Sequence, residues 1–123
     1  MRGQVLILHP SAIDLNRNWH LPGGIRDDNN EPIEKTAERE VLEETGIDLA
    51  KSLPTVFKVG EWTAVDHGEP VKILAIFYTY VLPSRPAIKL SDEHDDFAWI
   101  DAANYEQYEA NKEVYEVVEE LGA

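Results

Sequence analysis

Between Pro22 and Gly46 the chain is committed to a turn, a loop and one helix, and this unit limits what the remaining residues can pack around. Pro22-Gly23-Gly24 marks a sharp turn. Pro32 suits a first helical position, Glu34 the positive helix end and Gly46 a left-handed C-cap, so roughly Pro32 to Thr45 should be a helix. Within it Glu40, Glu43 and Glu44 stand at i, i+3 and i+4, inside an arc of about 100° on one helix face. Ala37 and Val41 face the adjoining side, where they can pack on a sheet, and Arg39 lies four residues before Glu43, the spacing of a helical ion pair. Like charges at these spacings oppose the helix by a few tenths of a kcal/mol per pair, and a divalent cation reverses that sign. The glutamate spacing alone fits an ordinary solvated helix. What distinguishes this one is its setting, with a glycine turn on either side that brings backbone amides beside the carboxylates, an arrangement suited to a diphosphate and its metal.

The elements around this unit read as strands and one closing helix. Gln4 to Leu8 is a short apolar run bounded by His9-Pro10, and Trp19-His20-Leu21 is a second extended piece that stops at the Pro-Gly-Gly turn. Val56 to Val65 and Lys72 to Leu82 are rich in β-branched and aromatic residues and are joined by Asp66-His67-Gly68-Glu69-Pro70, which predicts a hairpin or a longer antiparallel connection. Phe97 to Ile100 gives another strand. From about Ala102 to Leu121 the residues Val114, Val117, Val118 and Leu121 predict an amphipathic helix, with Glu113, Glu116, Glu119 and Glu120 as its solvated face. No repeat or low-complexity linker divides the chain, so residues 1–123 are expected to form a single domain.

Charge and composition exclude several classes of function. The formal net charge of −13 disfavours an electrostatic hold on a nucleic-acid polymer or an anionic membrane, and binding any phosphate-bearing ligand calls for a bridging cation. With zero cysteines, disulfides and thiolate zinc sites are excluded, which leaves carboxylates, imidazoles and backbone groups as ligands. No apolar run approaches a membrane span or a signal-peptide core, so a cytoplasmic location is expected.

The stretch LPGGIRDDNNEPIEKTAEREVLEETGI resembles the Nudix box, G-x5-E-x7-R-E-U-x-E-E-x-G-U with U aliphatic. Arg39, Glu40, Val41, Glu43, Glu44, Gly46 and Ile47 match its second half at every specified position, and Glu31 stands eight residues before Arg39 as the pattern requires. The departure is one extra residue between Gly24 and Glu31, which should leave the carboxylate stripe undisturbed while altering the loop and the role of Glu31. The stretch SDEHDDFAWIDA is similar to the part of the family that places a further acidic residue before a Trp-containing strand, here Glu93. His94 is expected as a loop residue and Trp99 as a core aromatic. Family members usually carry a strand before the one at Gln4 to Leu8 and a basic residue after it. Here no earlier strand is read and His9-Pro10 occupies the basic position, so a bare sheet edge and a homodimer are expected.

The resemblance implies an α/β fold, a Nudix-type α/β/α sandwich with a mixed sheet. It implies a hydrolase that cleaves the pyrophosphate bond of a nucleoside diphosphate linked to another moiety, nucleoside triphosphates being the first guess. Glu40, Glu43 and Glu44 would be ligands of Mg²⁺, with Mn²⁺ as the alternative. Arg39 would fix their geometry, Gly23 and Gly24 would approach the diphosphate, and Glu93 would be a further ligand or base; which of Glu43, Glu44 and Glu93 takes the proton stays open. Trp19, Trp62, Phe77 and Tyr78 are candidates to stack on a base, although core packing is the expected fate of each. Two other readings compete: a non-catalytic nucleotide-binding or regulatory module on the same fold, and a calcium loop formed by Asp27, Asn29, Glu31 and Glu38. The calcium loop is disfavoured because Pro32 sits where such a loop needs glycine.

Overall fold

The apolar run at the start of the chain forms β1 (Val5–Pro10), which pairs antiparallel with β4 (His94–Ile100). Successive side chains point to opposite faces of this pair, so each face feeds its own core. Ile7 and Ile100 pack with Ala110, Val114 and Val118 on one face, while Leu6 and Leu8 pack with Ile47 and Leu49 on the other, Val41 and Trp99 lying against them. Ile7, Leu8, Ile100, Val114 and Val118 are fully buried, each contributing about 1.5–3 kcal/mol of apolar burial. Helix α1 (Ile33–Thr45) thus covers one face and α2 (Lys112–Leu121) the other, the layering of an α/β/α sandwich. The computed structural model describes residues 4–11, 18–26, 30–82 and 84–122. Among the described residues no helix is long and apolar enough to cross a membrane.

Helix α1 begins one residue later than its sequence signals, with Pro32 as the N-cap, and ends at Gly46 in the expected left-handed conformation, φ 76°. Ending a helix leaves its last four carbonyls without intrahelical partners, and three of them are paired here. Gly46 N–H donates to the Leu42 carbonyl, Lys89 N–H to Thr45 and Ser91 N–H to Glu44. Trp19 and His20 form the second extended piece: Leu8 and His20 exchange two backbone hydrogen bonds, and Trp19 bridges Ala110 in parallel sense.

The two aromatic-rich segments form a long hairpin, β2 (Thr55–Asp66) and β3 (Glu69–Thr79), as a second two-stranded sheet. Its connection is tighter than the five residues read from sequence, because His67 and Gly68 both take positive φ, 50° and 82°, as a two-residue turn between twisted strands requires. The closing helix is shorter than expected. Asp101 and Asn104 bond nearby backbone amides (Asp101 N–H to Asn104 Oδ1, Ala103 N–H to Asp101 Oδ1), which favours a turn and a single 3-10 turn at Tyr105–Gln107 before α2 starts. The acidic face of α2 is only partly solvated, since Lys58 of β2 pairs with both Glu116 and Glu120.

Candidate active site

The turn and helix that bound the sequence unit meet in space. Gly23 N–H donates to Glu44 Oε1 at 2.8 Å, so the turn holds one oxygen of the most buried box carboxylate. Gly24 lies against Glu40 so closely that a Cβ there would stand 2.3 Å from the Glu40 carboxyl carbon, so any side chain at this position would push Glu40 aside. Gly23 and Gly24, expected beside a diphosphate, are therefore seen first as the backbone that seats Glu44 and Glu40.

Arg39 organises the exposed side of the cluster. Its guanidinium bonds both oxygens of Glu31, Nε to Oε2 at 3.0 Å and Nη2 to Oε1 at 3.2 Å, and reaches Glu40 Oε1 at 2.8 Å through Nη1. Thr36 Oγ1 adds a hydrogen bond to Glu31 Oε1 at 2.7 Å. The contact with Glu43 that the i, i+4 spacing predicts is the longest of the set, 3.5 Å to a side chain 57% exposed, so Glu31 rather than Glu43 is the main partner of Arg39. The extra loop residue has not displaced Glu31, because a bidentate carboxylate–guanidinium pair fixes both planes. The same geometry disposes of the calcium loop: Glu31 is taken by Arg39, Glu38 pairs with Lys35, and Asp27 and Asn29 lie outside the described residues.

Glu44 is the electrostatic centre. Its pKa is pushed up from 4.5 to about 7, chiefly by burial; the Gly23 hydrogen bond opposes the rise, and the neighbouring charges of Glu40, Glu93 and Glu43 add to it. Glu93 itself is exposed, in the turn before β4, its carbonyl accepting from Ser11 N–H at 2.9 Å. His94, expected in a loop, instead opens β4 with a side chain only 4% exposed, and its Nε2 lies 3.8 Å from Glu44 Oε2 and 3.0 Å from His20 Nε2. The sequence marked His94 only as a loop residue in a family-like stretch and gave His20 no role: a lone His beside a strand is more often a satisfied structural residue.

The donor set suits a hard divalent cation, since it is all carboxylate oxygen, and the neighbouring carboxylates add to the rise that burial imposes on Glu44. Among the described residues no three His, Asp or Glu side chains converge as they stand, because Glu40 turns to Arg39 and Glu44 to Gly23. Of the aromatic candidates, Trp19 packs edge-on against Tyr108 and tilts against His9, Phe77 lies beneath the Lys58 ammonium, and Tyr78 sits near Tyr80; only Trp62 is exposed, at 44%.

A family model described as the NUDIX domain matches residues 1–121. Solved structures share the fold at low identity. A hydrolase described as a NUDIX hydrolase from Nitrosomonas europaea is 22% identical with a TM-score of 0.69, covering 98% of this chain and 80% of its own. The NUDIX domain of Shewanella oneidensis NrtR, complexed with ADP ribose, is 21% identical with a TM-score of 0.70, over 95% of this chain and 74% of that one. A C. elegans Ap4A hydrolase in a binary complex is 20% identical with a TM-score of 0.66, over 94% and 80%. No curated protein sequence matches the chain.

Proposed function

The chain belongs to the Nudix family, and from that premise we propose that it is a single-domain, divalent-cation-dependent hydrolase of the pyrophosphate bond in a nucleoside diphosphate derivative. The observation that carries this reading is the joint seating of Glu40 and Glu44 by the glycine turn, with Arg39 anchored on Glu31 alongside. A module that only bound nucleotide has no use for three carboxylates crowded on one helix at this electrostatic cost, so hydrolysis is favoured over binding alone.

Glu40, Glu43 and Glu44 would hold Mg²⁺, or Mn²⁺ in its place. The bound ion would neutralise the diphosphate and make a water molecule more acidic. The chain's own groups do the rest. Gly23 and Gly24 bring backbone into close reach of the carboxylates, and Arg39 fixes the orientation of one Glu40 oxygen. Of Glu43, Glu44 and Glu93, the carboxylate not engaged by the ion would take the proton, and exposed Glu93 approaches from the β4 side as a further ligand or base.

Nucleoside triphosphates are the first substrates to try. ADP-ribose and dinucleoside polyphosphates follow, because structures of the same fold carry these names. The expected location is cytoplasmic, with no nucleic-acid polymer or membrane as partner. A homodimer is proposed through the β2–β3 ribbon, where Val59, Val65 and Leu74 are exposed and whose strands carry only three acidic residues in a chain of net charge −13.

The test is a panel of these compounds assayed with Mg²⁺, with and without EDTA, on the native protein and on Glu43→Gln and Glu119→Gln. Turnover that needs metal, falls by orders of magnitude in Glu43→Gln and survives in Glu119→Gln supports the proposal. Mg²⁺ should also raise the melting temperature of the native protein more than that of Glu43→Gln. Tight nucleotide binding with no turnover on any compound would transfer the chain to the binding-module reading.

A further inference from the structure

Glu44 is hydrogen-bonded on one side and walled on the other. Gly23 N–H holds Oε1, and Oε2 faces the Nε2 edge of the buried His94 ring at 3.8 Å. That ring edge also lies 3.0 Å from His20 Nε2, and the far nitrogen of His20, Nδ1, lies 2.8 Å from the carbonyl oxygen of Leu21. The order of protons along this chain follows from which groups can donate. A carbonyl only accepts, so His20 Nδ1 carries hydrogen; the neutral ring then offers a lone pair at Nε2, and the 3.0 Å contact requires His94 to supply the hydrogen from its own Nε2. Two N–H groups could not face each other at that separation.

Both rings are placed by regular backbone pairing. His20 exchanges two hydrogen bonds with Leu8 of β1, and His94 pairs across β1 at Pro10 while its N–H donates to Ser91. Ser91 N–H in turn donates to the carbonyl of Glu44 itself. The start of β4 therefore lies against the end of α1, and the Trp19–His20 bridge backs it through His94.

We propose that His94 is a positioning residue for Glu44, its ring edge walling the outer oxygen at 3.8 Å, and that His20 holds that ring in place by accepting its Nε2–H while anchored on the Leu21 carbonyl. The kinetic part rests on the hydrolase reading; the tautomer part does not. Groups that orient a ligating or reacting side chain typically cost 10–100-fold in activity or metal affinity when removed.

Ring-nitrogen NMR of the ¹⁵N-labelled native protein at neutral pH, without metal, reads which nitrogens carry hydrogen. The proposal requires hydrogen on Nδ1 of His20 and on Nε2 of His94, and hydrogen on Nε2 of His20 overturns it. In parallel, Mg²⁺ alone is titrated into native protein, His94→Phe and His94→Gln. The Phe variant keeps a ring in the buried space without the N–H, and Gln returns an N–H at similar reach. His94→Phe should bind Mg²⁺ about tenfold more weakly or lower kcat about tenfold with KM little changed, and His94→Gln should recover part of the loss. His20→Phe, which cannot accept from His94, should move the same quantity in the same direction. If His94→Phe fails to fold, the native tautomers and His20→Phe decide. Native Mg²⁺ affinity and kcat in both Phe variants would reduce the histidines to packing. Absence of turnover in the native protein would instead strike at the hydrolase reading and leave the tautomer and Mg²⁺ results to decide this one.

Discussion

Replacing Glu44 by Gln isolates the cost of burying its charge. The carboxyl is 8% exposed, and its pKa rises from 4.5 to about 7 in the folded protein. At about 1.4 kcal/mol per pKa unit this corresponds to about 3 kcal/mol, and the Gly23 bond is already included because it acts on the same pKa. The folded state holds the proton more tightly than the unfolded state, so the stabilising contribution is fully present below 4.5 and is lost as pH rises through about 7. Glutamine resembles the protonated acid at every pH and can still accept from Gly23. In EDTA, Glu44→Gln and native protein should therefore be equally stable near pH 4. Above about pH 8 the variant should be more stable by about 2–4 kcal/mol, about 8–15 °C in melting temperature for a domain of this size. Urea denaturation and thermal melts across the range measure both curves, and comparing the two cancels the general effect of a net charge of −13. Parallel curves, or a variant that is less stable at alkaline pH, would refute the reasoning.

Three further outcomes follow from the site. Gly24→Ala should keep stability within about 1 kcal/mol, because the atom it meets is the end of a flexible side chain, yet displace Glu40 and lower activity at least about tenfold in steady-state assays. Arg39→Ala should destabilise by about 1–2 kcal/mol in denaturant titration, since it leaves Glu31 and Glu40 partly buried without their shared donor. Arg39→Lys should restore little of this, because an ammonium cannot span both Glu31 oxygens and Glu40 in one plane. Sedimentation should show a concentration-dependent dimer that Leu74→Lys disrupts, and a monomer at high concentration contradicts the ribbon contact.

The helix and its glutamate stripe were legible because their signals are local: Pro32, Gly46 and a fixed spacing lie within one continuous segment. The same is true of β1, an apolar run buried on both faces, and of the valines of α2, where periodicity marks the buried face. The partners of that stripe were less legible, since they depend on chain meeting chain. Spacing pointed Arg39 at Glu43, but Glu31 offers both oxygens at lower exposure and takes the guanidinium. Ala102 to Ala110 carried too few apolar residues to mark a helix end, and Asp101 and Asn104 broke it by bonding their neighbours' amides. The His20–His94 contact joins residues 74 apart, for which no periodicity exists to be read.

The central claim, water attack on a pyrophosphate bond directed by the α1 carboxylates, is tested most directly by turnover in ¹⁸O-labelled water with Mg²⁺, the products resolved by phosphorus NMR. The claim predicts that label enters one of two phosphate-bearing fragments, and that no label is incorporated in EDTA or with Glu43→Gln. Labelled orthophosphate released from simple monoesters at a comparable rate, or incorporation that persists in EDTA, would contradict it.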